Sequence, residues 1–129
     1  MNYILVKKDK IKIDEIILKT KFKPYINSLL LEQLTTIDGR LESIKEKYKY
    51  YKLTPLFINE HICLIPIKSI NSIDNIYINV KEINYLKEVN KKTLVIFKDS
   101  SSIIINKSIE TLKENIKRAN SISINIKTF

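Results

Sequence analysis

Short apolar segments between residues 56 and 105 restrict the fold of this chain more than any other feature of its sequence. They are rich in β-branched and aromatic side chains and bounded by polar breaks, which predicts strands at residues 56–58, 62–65, 75–78, 83–86, 93–97 and 103–105. The breaks at residues 90–91 and 99–100 are short enough for an antiparallel meander, whereas parallel strands need a long crossover. The sequence therefore predicts an α+β fold with a mostly antiparallel sheet, not a parallel Rossmann-type sheet.

The N-terminal part of the chain has a weaker pattern. Residues 3–6 and 11–18 predict two short strands around a turn at residues 7–10. Residues 26–34 fit either a short helix or a buried strand, and periodicity does not decide between them. Residues 59–61 separate two apolar segments and predict a hairpin turn.

Two amphipathic helices complete the predicted fold. The first has an apolar stripe at helical spacing, made of Leu41, Ile44, Tyr48 and Tyr51. We expect Asp38 to cap it and Pro55 to stop it, and we expect Ser108 to cap the second helix. The inward residues of the second helix are Ile109, Leu112, Ile116 and Ala119. The outer faces carry basic residues: Arg40, Lys45, Lys47, Lys49 and Lys52 on or just after the first helix, and Lys113, Lys117 and Arg118 on the second.

Length and composition indicate a single cytoplasmic domain. A chain of 129 residues fits one domain spanning residues 1–129. No apolar stretch approaches the roughly 20 residues that cross a bilayer, and the N-terminal apolar run is too short for a secretory signal. The only cysteine, Cys63, cannot form an internal disulfide, which suits the reducing cytoplasm.

The sequence offers little that could support catalysis. His61 is the only histidine, and no nucleophile elbow surrounds any serine. His61 and Cys63 are two residues apart, but no further Cys or His is present to complete a metal site, so we expect an exposed histidine and a buried thiol. Gly39 is the only glycine, which excludes a glycine-rich nucleotide loop. We predict no enzymatic activity, metal, cofactor or small-molecule substrate.

The net charge favours an anionic partner, although the signal is weak. The formal charge is +9 and the isoelectric point is about 9.5, which is typical of nucleic-acid-binding proteins. Ile, Lys and Asn make up nearly half of the chain, and AT-rich codons supply those residues. Only Arg40 and Arg118 are arginines, although arginine is better suited than lysine to phosphates and base edges.

Two local features allow both a structural and a functional interpretation. Gly39 either has a positive φ or a close backbone contact, or it lets Arg40 and the helix N-terminus face a phosphate. The tyrosines among the lysines suggest a stacking platform, but Tyr48 and Tyr51 lie on the apolar stripe and favour core or interface positions. Tyr50 is then the tyrosine expected to be free.

The middle of the chain resembles the ComK family of competence transcription factors. The resemblance covers roughly residues 26–119. It rests on a succession of features: Gly39-Arg40, a basic stretch, Pro55 with 56–58, the strand 62–65 followed by Pro66-Ile67-Lys68-Ser69, Asn75-Ile76-Tyr77-Ile78, Val80-Lys81-Glu82, the strand 93–97, and Ser108 before a helix. Family members commonly have Trp at the position of Tyr77 and Thr at the position of Ile67.

The resemblance implies a transcription regulator that binds AT-rich promoter boxes, largely through the minor groove of double-stranded DNA, as a homodimer or higher oligomer. A-tracts have a narrow minor groove of enhanced negative potential, which attracts basic side chains. The matched positions predicted to contact DNA are Arg40, Lys68, Ser69 and Lys81, with Arg40 as the best groove candidate. Lys45, Lys49 and Lys117 are added because they lie on predicted solvent faces.

Two alternatives remain open at this point. Residues 83–119 also resemble a LytTR-type DNA-binding domain, which would keep DNA as the partner but change the groove. A shortened relative could instead act as a protein-interaction module that tunes a full-length regulator, with a basic surface that reflects codon composition alone.

Overall fold

An antiparallel sheet of six strands lies at the centre of the computed structural model, which describes residues 1–69 and 72–124. Its strands are β1 (Tyr3–Val6), β2 (Ile11–Ile13), β3 (Ile16–Leu18), β4 (Leu56–Asn59), β5 (Ile62–Pro66) and β6 (Asn75–Asn79). They lie in the order β3-β2-β1-β6-β5-β4, so β1 pairs with β6 and joins the N-terminal strands to the middle of the chain.

A second sheet and three helices cover the two faces of the central sheet. The second sheet is a meander of β7 (Ile83–Val89), β8 (Lys92–Phe97) and β9 (Ser102–Ile105). The helices are α1 (Phe22–Leu30), α2 (Ile37–Tyr48) and α3 (Ile109–Asn120), and short 3-10 turns span Leu31–Gln33 and Val80–Glu82. The predicted α+β class and antiparallel meander are confirmed, while α1 adds a helix to the two that were predicted.

The middle of the central sheet is buried on both faces, and neighbouring residues of β5 show this. Leu64 packs with residues of α1 and α2, such as Ile26 and Leu41. Cys63 and Ile65 pack with the second sheet and α3 in a separate cluster. Because both faces are apolar, β4 and β5 form nearly continuous apolar runs instead of the alternation typical of a sheet with one solvated face.

Residues 26–34, which the sequence left undecided, are mainly helical. α1 begins earlier than that segment, at Phe22, and buries Phe22, Ile26 and Leu30 at a four-residue spacing. Pro24 lies in the first turn, where the missing N–H costs no intrahelical hydrogen bond. The chain leaves the helix through a 3-10 turn that ends at Leu34 in the left-handed region.

The single strand predicted at residues 11–18 is wrong, because the segment folds back on itself as β2 and β3. Asp14 adopts a φ of 53°, which an aspartate tolerates in a tight turn. Its carboxylate accepts hydrogen bonds from the backbone N–H groups of Asn2 (2.8 Å) and Tyr3 (3.2 Å). The turn is therefore fixed by contacts with β1 that no local pattern reveals.

The ends of α2 also differ from the prediction. Thr36, not Asp38, is the N-cap, and its hydroxyl accepts a hydrogen bond from the Gly39 N–H at 3.2 Å. The helix ends at Tyr48, well before Pro55, and Lys49 caps it with a φ of 62°, so Tyr51 lies beyond the apolar stripe and is 63% exposed. Gly39 has no positive φ; a Cβ there would lie 3.1 Å from the Thr35 hydroxyl, so the close-contact interpretation is the one that holds.

The predicted hairpin turn and the predicted cap of the last helix are confirmed. A hairpin joins β4 and β5 at the predicted turn. The Ser108 hydroxyl caps α3 by accepting a hydrogen bond from the Thr111 N–H at 3.3 Å. Leu112 and Ala119 of α3 are buried against the central sheet, as expected from their spacing.

Candidate nucleic-acid interface

Arg40, the side chain predicted to enter a DNA groove, lies in the interior and is only 6% exposed. Its guanidinium donates hydrogen bonds to the Phe57 carbonyl oxygen at 2.8 Å and to the side-chain oxygen of Gln33. Burial lowers the pKa of this guanidinium, but an arginine keeps its charge in proteins. The placement of Arg40 on an outer face is wrong, because its side chain joins α2 to the first strand of the β4–β5 hairpin.

Four basic side chains gather where the C-terminal end of α2 meets the last turns of α3. They border a groove of about 510 Å³. We name it the α2–α3 groove, and its lining residues are Lys49, Tyr50, Tyr51, Lys52, Glu114, Lys117, Arg118 and Ser121. Two of the predicted DNA contacts, Lys49 and Lys117, therefore lie on opposite sides of one concave surface.

Tyr50 and Arg118 hold the two sides of this groove together. The Arg118 guanidinium lies over the Tyr50 ring, 4.5 Å from its centroid, and donates a hydrogen bond to the Lys52 carbonyl oxygen at 2.8 Å. Tyr50 stacks on Tyr48 with centroids 5.8 Å apart, and its hydroxyl is 2.7 Å from that of Ser121. The expectation that Tyr50 is the free tyrosine is wrong, since Tyr51 is the exposed one.

The cations of the groove have no acidic partner, which they share with most lysines of the described residues, where Lys7, Lys12 and Lys23 are the lysines that form ion pairs. Within residues 1–69 and 72–124, Lys49, Lys52, Lys117 and Arg118 form no ion pair within 4 Å. Glu114 is the acidic residue in the lining. Four cations beside one carboxylate leave a locally positive surface that can attract phosphate groups.

A second concave surface adjoins the groove and contains two more of the predicted residues. We name it the Tyr77 cavity, after the tyrosine in its lining; Lys45 and Ser69 also line it. Tyr51 and Lys52 line both the cavity and the groove, so the two surfaces are continuous.

The other two predicted residues have separate surroundings. Lys68 is exposed next to Ser69, and its backbone is held by the Asn75 side chain through two hydrogen bonds of 3.0 Å. Lys81 is half-buried on the 3-10 turn Val80–Glu82, which packs against β5 and α3. Lys81 therefore belongs to neither of the two basic surfaces defined above among the described residues.

Sequence reasoning missed Lys52 and Arg118 as members of this surface. Both were placed on solvent faces, but nothing local distinguished them from other basic residues. The hydrogen bond between them joins positions 66 residues apart. The nearest sequence signal was the alternation of tyrosine and lysine at residues 47–52, which marks one side of the groove only.

His61 and Cys63 have the environments expected from the sequence. The His61 side chain is 82% exposed beside Glu60, whereas Cys63 is fully buried. Burial raises the pKa of the Cys63 thiol to about 12, and the charge of Lys81 lowers it in part, so the thiol stays protonated at neutral pH. Residues 1–69 and 72–124 contain no group of three or more His, Cys, Asp or Glu side chains arranged to hold a metal ion.

The helices of the described part of the chain are too short or too polar to cross a membrane.

The model of the ComK protein family matches residues 6–128, almost the whole chain. No curated protein and no solved structure gives a significant match.

Proposed function

This chain belongs to the ComK family of competence transcription factors, and from this premise we propose that it is a cytoplasmic, non-enzymatic regulator that binds AT-rich double-stranded DNA. The observation that carries the DNA part of the proposal is the α2–α3 groove, where four cations lie without ion-pair partners among the described residues. Cations without acidic partners can neutralise DNA phosphates and release the counterions bound there, and no protein ion pair has to break first.

The proposed interface extends from the groove across the rim of the Tyr77 cavity. We propose that its contacts to DNA come from Lys45, Lys49, Lys52, Lys68, Ser69, Lys117 and Arg118. Lysines along such a surface contact phosphates and position the protein without reading sequence. Lys68 lines neither surface but is included because it is exposed next to Ser69 of the cavity lining. Arg40 is left out because its guanidinium is buried, and Lys81 because it is half-buried and lies on neither surface.

A preference for AT-rich DNA fits this composition of the surface. A lysine-rich surface with few accessible arginines lacks the bidentate side chains that read guanine in the major groove. The narrow minor groove of A-tracts instead offers enhanced negative potential, which basic side chains detect without base-specific hydrogen bonds. We therefore propose recognition largely through the minor groove.

The outer face of the second sheet supports a homodimer or higher oligomer. Tyr85 and Ile104 are 55% and 58% exposed there. The registers Tyr85↔Ile96 and Leu94↔Ile104 place four apolar side chains on the same face of neighbouring strands. Contiguous exposed apolar groups are typical of protein interfaces. Light scattering on the chain and on Ile104→Lys tests this part of the proposal, and we expect the variant to be the smaller species.

Fluorescence anisotropy with an AT-rich and a GC-rich duplex of equal length, at several salt concentrations, tests the proposed function. We expect log K to fall with log salt with a slope of about −4 to −8 for a dimer, at about −0.9 per phosphate contacted. We also expect much tighter binding to the AT-rich duplex. Weak binding that ignores base composition would favour the interaction-module alternative and contradict the proposal.

A further inference from the structure

The Tyr77 cavity has the size and lining of a small-molecule site. It has a volume of about 430 Å³ and lies beside α2, the ends of β4 and β5 that carry Leu56 and Pro66, and Tyr77 in the middle of β6. Ligand pockets of this size are usually apolar with a few well-placed polar groups. Here the apolar part includes Leu41, Leu56 and Pro66, and the polar part includes Lys45, Lys52 and Ser69.

The charge of the lining is entirely positive. Lys45 and Lys52 both border the cavity, and none of its described lining residues is acidic. Neither lysine forms an ion pair within the part of the chain that the structure describes. Such a lining favours an anion over a neutral or cationic ligand.

Tyr77 supplies a second observation, and its side chain borders both this cavity and another one beside Phe22. The residue is 2% exposed and stacks on Phe22 with ring centroids 4.2 Å apart. Its hydroxyl is buried and has no hydrogen-bond partner among residues 1–69 and 72–124. An unpaired buried hydroxyl is unfavourable, and buried polar groups in proteins are nearly always paired. Burial also raises the pKa of Tyr77, so the group stays protonated and is available as a donor.

We propose that the Tyr77 cavity binds a small aromatic anion. Its charged group lies near Lys45 and Lys52, its ring packs among Leu41, Leu56 and the Tyr51 side chain, and the Tyr77 hydroxyl donates a hydrogen bond to it. This binding does not depend on the proposed DNA-binding function. Because Tyr51 and Lys52 also line the α2–α3 groove, the bound anion competes with DNA phosphates, a consequence that rests on the proposed function.

An NMR titration of the ¹⁵N-labelled full chain tests the proposal without DNA. The probes are 1-naphthyl phosphate, neutral 1-naphthol and inorganic phosphate. We expect saturable shifts of the amides of Lys45, Lys52 and Ser69 with 1-naphthyl phosphate, and affinities roughly tenfold weaker for the two probes that carry only the ring or only the charge. Shifts scattered over the surface, or equal affinity for all three probes, would overturn the proposal.

The Tyr77→Phe variant separates a role in binding from a role in folding. Removing a hydroxyl that has no protein partner should leave the melting temperature unchanged or higher, while 1-naphthyl phosphate binds about tenfold more weakly because a hydrogen bond to a charged group is lost. Unchanged affinity in this variant would contradict the proposed hydrogen bond. Failure of the ligand to bind leaves the DNA titration of the unliganded chain unaffected, so the two proposals fail independently.

Discussion

Three lysines in the N-terminal part of the chain and three lysines in the α2–α3 groove have opposite environments. In the N-terminal part, Lys7 pairs with Asp74 at 3.4 Å, Lys12 with Glu15 at 3.7 Å and Lys23 with Asp38 at 3.4 Å. In the groove, Lys49, Lys52 and Lys117 have no such partner among the described residues. Bulk charge treats these lysines as equal, whereas the fold pairs three of them with carboxylates and gathers three others in one groove, where they are unpaired like most lysines of the described residues.

The difference shows that folding, and not composition alone, determines which lysines can form a DNA-binding site. AT-rich codons can scatter lysines over a sequence, but they do not decide which lysines meet a carboxylate after folding. An exposed ion pair contributes little stability, yet a lysine in a pair must give up its partner before it binds a phosphate. The unpaired lysines that the fold gathers in the α2–α3 groove should therefore dominate the electrostatic part of DNA binding.

Removing the charges of the groove should have the largest effect. In the triple variant Lys49→Gln, Lys52→Gln and Lys117→Gln, we expect the affinity for AT-rich DNA to fall roughly 100-fold at about 0.1 M salt and the salt slope to flatten by about 2.7, since each lost phosphate contact removes about 0.9. Anisotropy titrations measure both. The matched control, Lys7→Gln, Lys12→Gln and Lys23→Gln, changes the net charge equally and should lose about threefold or less. Equal losses of DNA affinity in the two triple variants would contradict the distinction between the groove lysines and the paired lysines.

Arg40→Met tests whether the buried arginine belongs to the fold or to the interface. The change removes the donors to Phe57 and Gln33 and leaves their buried oxygens unpaired, so we expect the free energy of unfolding to fall by about 2–4 kcal/mol in urea titrations. The DNA affinity of the folded protein should stay within about twofold. If the variant had wild-type stability and bound DNA more weakly, Arg40 would belong to the DNA interface and not to the fold.

Arg118→Lys keeps the charge of the groove, so its effect on DNA affinity should be well below that of the triple variant and its effect on stability below that of Arg40→Met. The lysine loses the stacking on Tyr50 and the hydrogen bond to the Lys52 carbonyl, which should cost about 1 kcal/mol of stability. Since Arg118 positions Lys52, we expect DNA affinity to fall by about fivefold, the equivalent of that free energy. No loss in either measurement would mean that charge alone matters at this position.

The β-rich half of the chain could be predicted from the sequence because its signals are local. The hairpin between β4 and β5 and the meander of β7, β8 and β9 follow from short breaks between apolar segments. The turn at Asp14 could not be predicted, since its carboxylate is held by the backbone of β1. α1 remained ambiguous because a short apolar segment fits a buried helix and a buried strand equally well.

The error at Arg40 has a specific cause. Ile37, Leu41 and Ile44 form the buried stripe of α2, and Arg40 lies three residues after Ile37 on the same face. Beginning the stripe at Leu41 put Arg40 on the wrong side of the helix. The groove itself could not be predicted, because Arg118 meets Tyr50 and Lys52 only through the folded arrangement of α3 beside the end of α2.

Lysine acetylation with and without an AT-rich duplex, followed by mass spectrometry of the peptides, tests most directly whether the unpaired cations form the DNA-binding surface. We expect DNA to reduce the modification of Lys49, Lys52 and Lys117 severalfold and to leave Lys7, Lys12 and Lys23 nearly unchanged. Uniform protection of all six lysines, or protection of the paired group alone, would contradict the account.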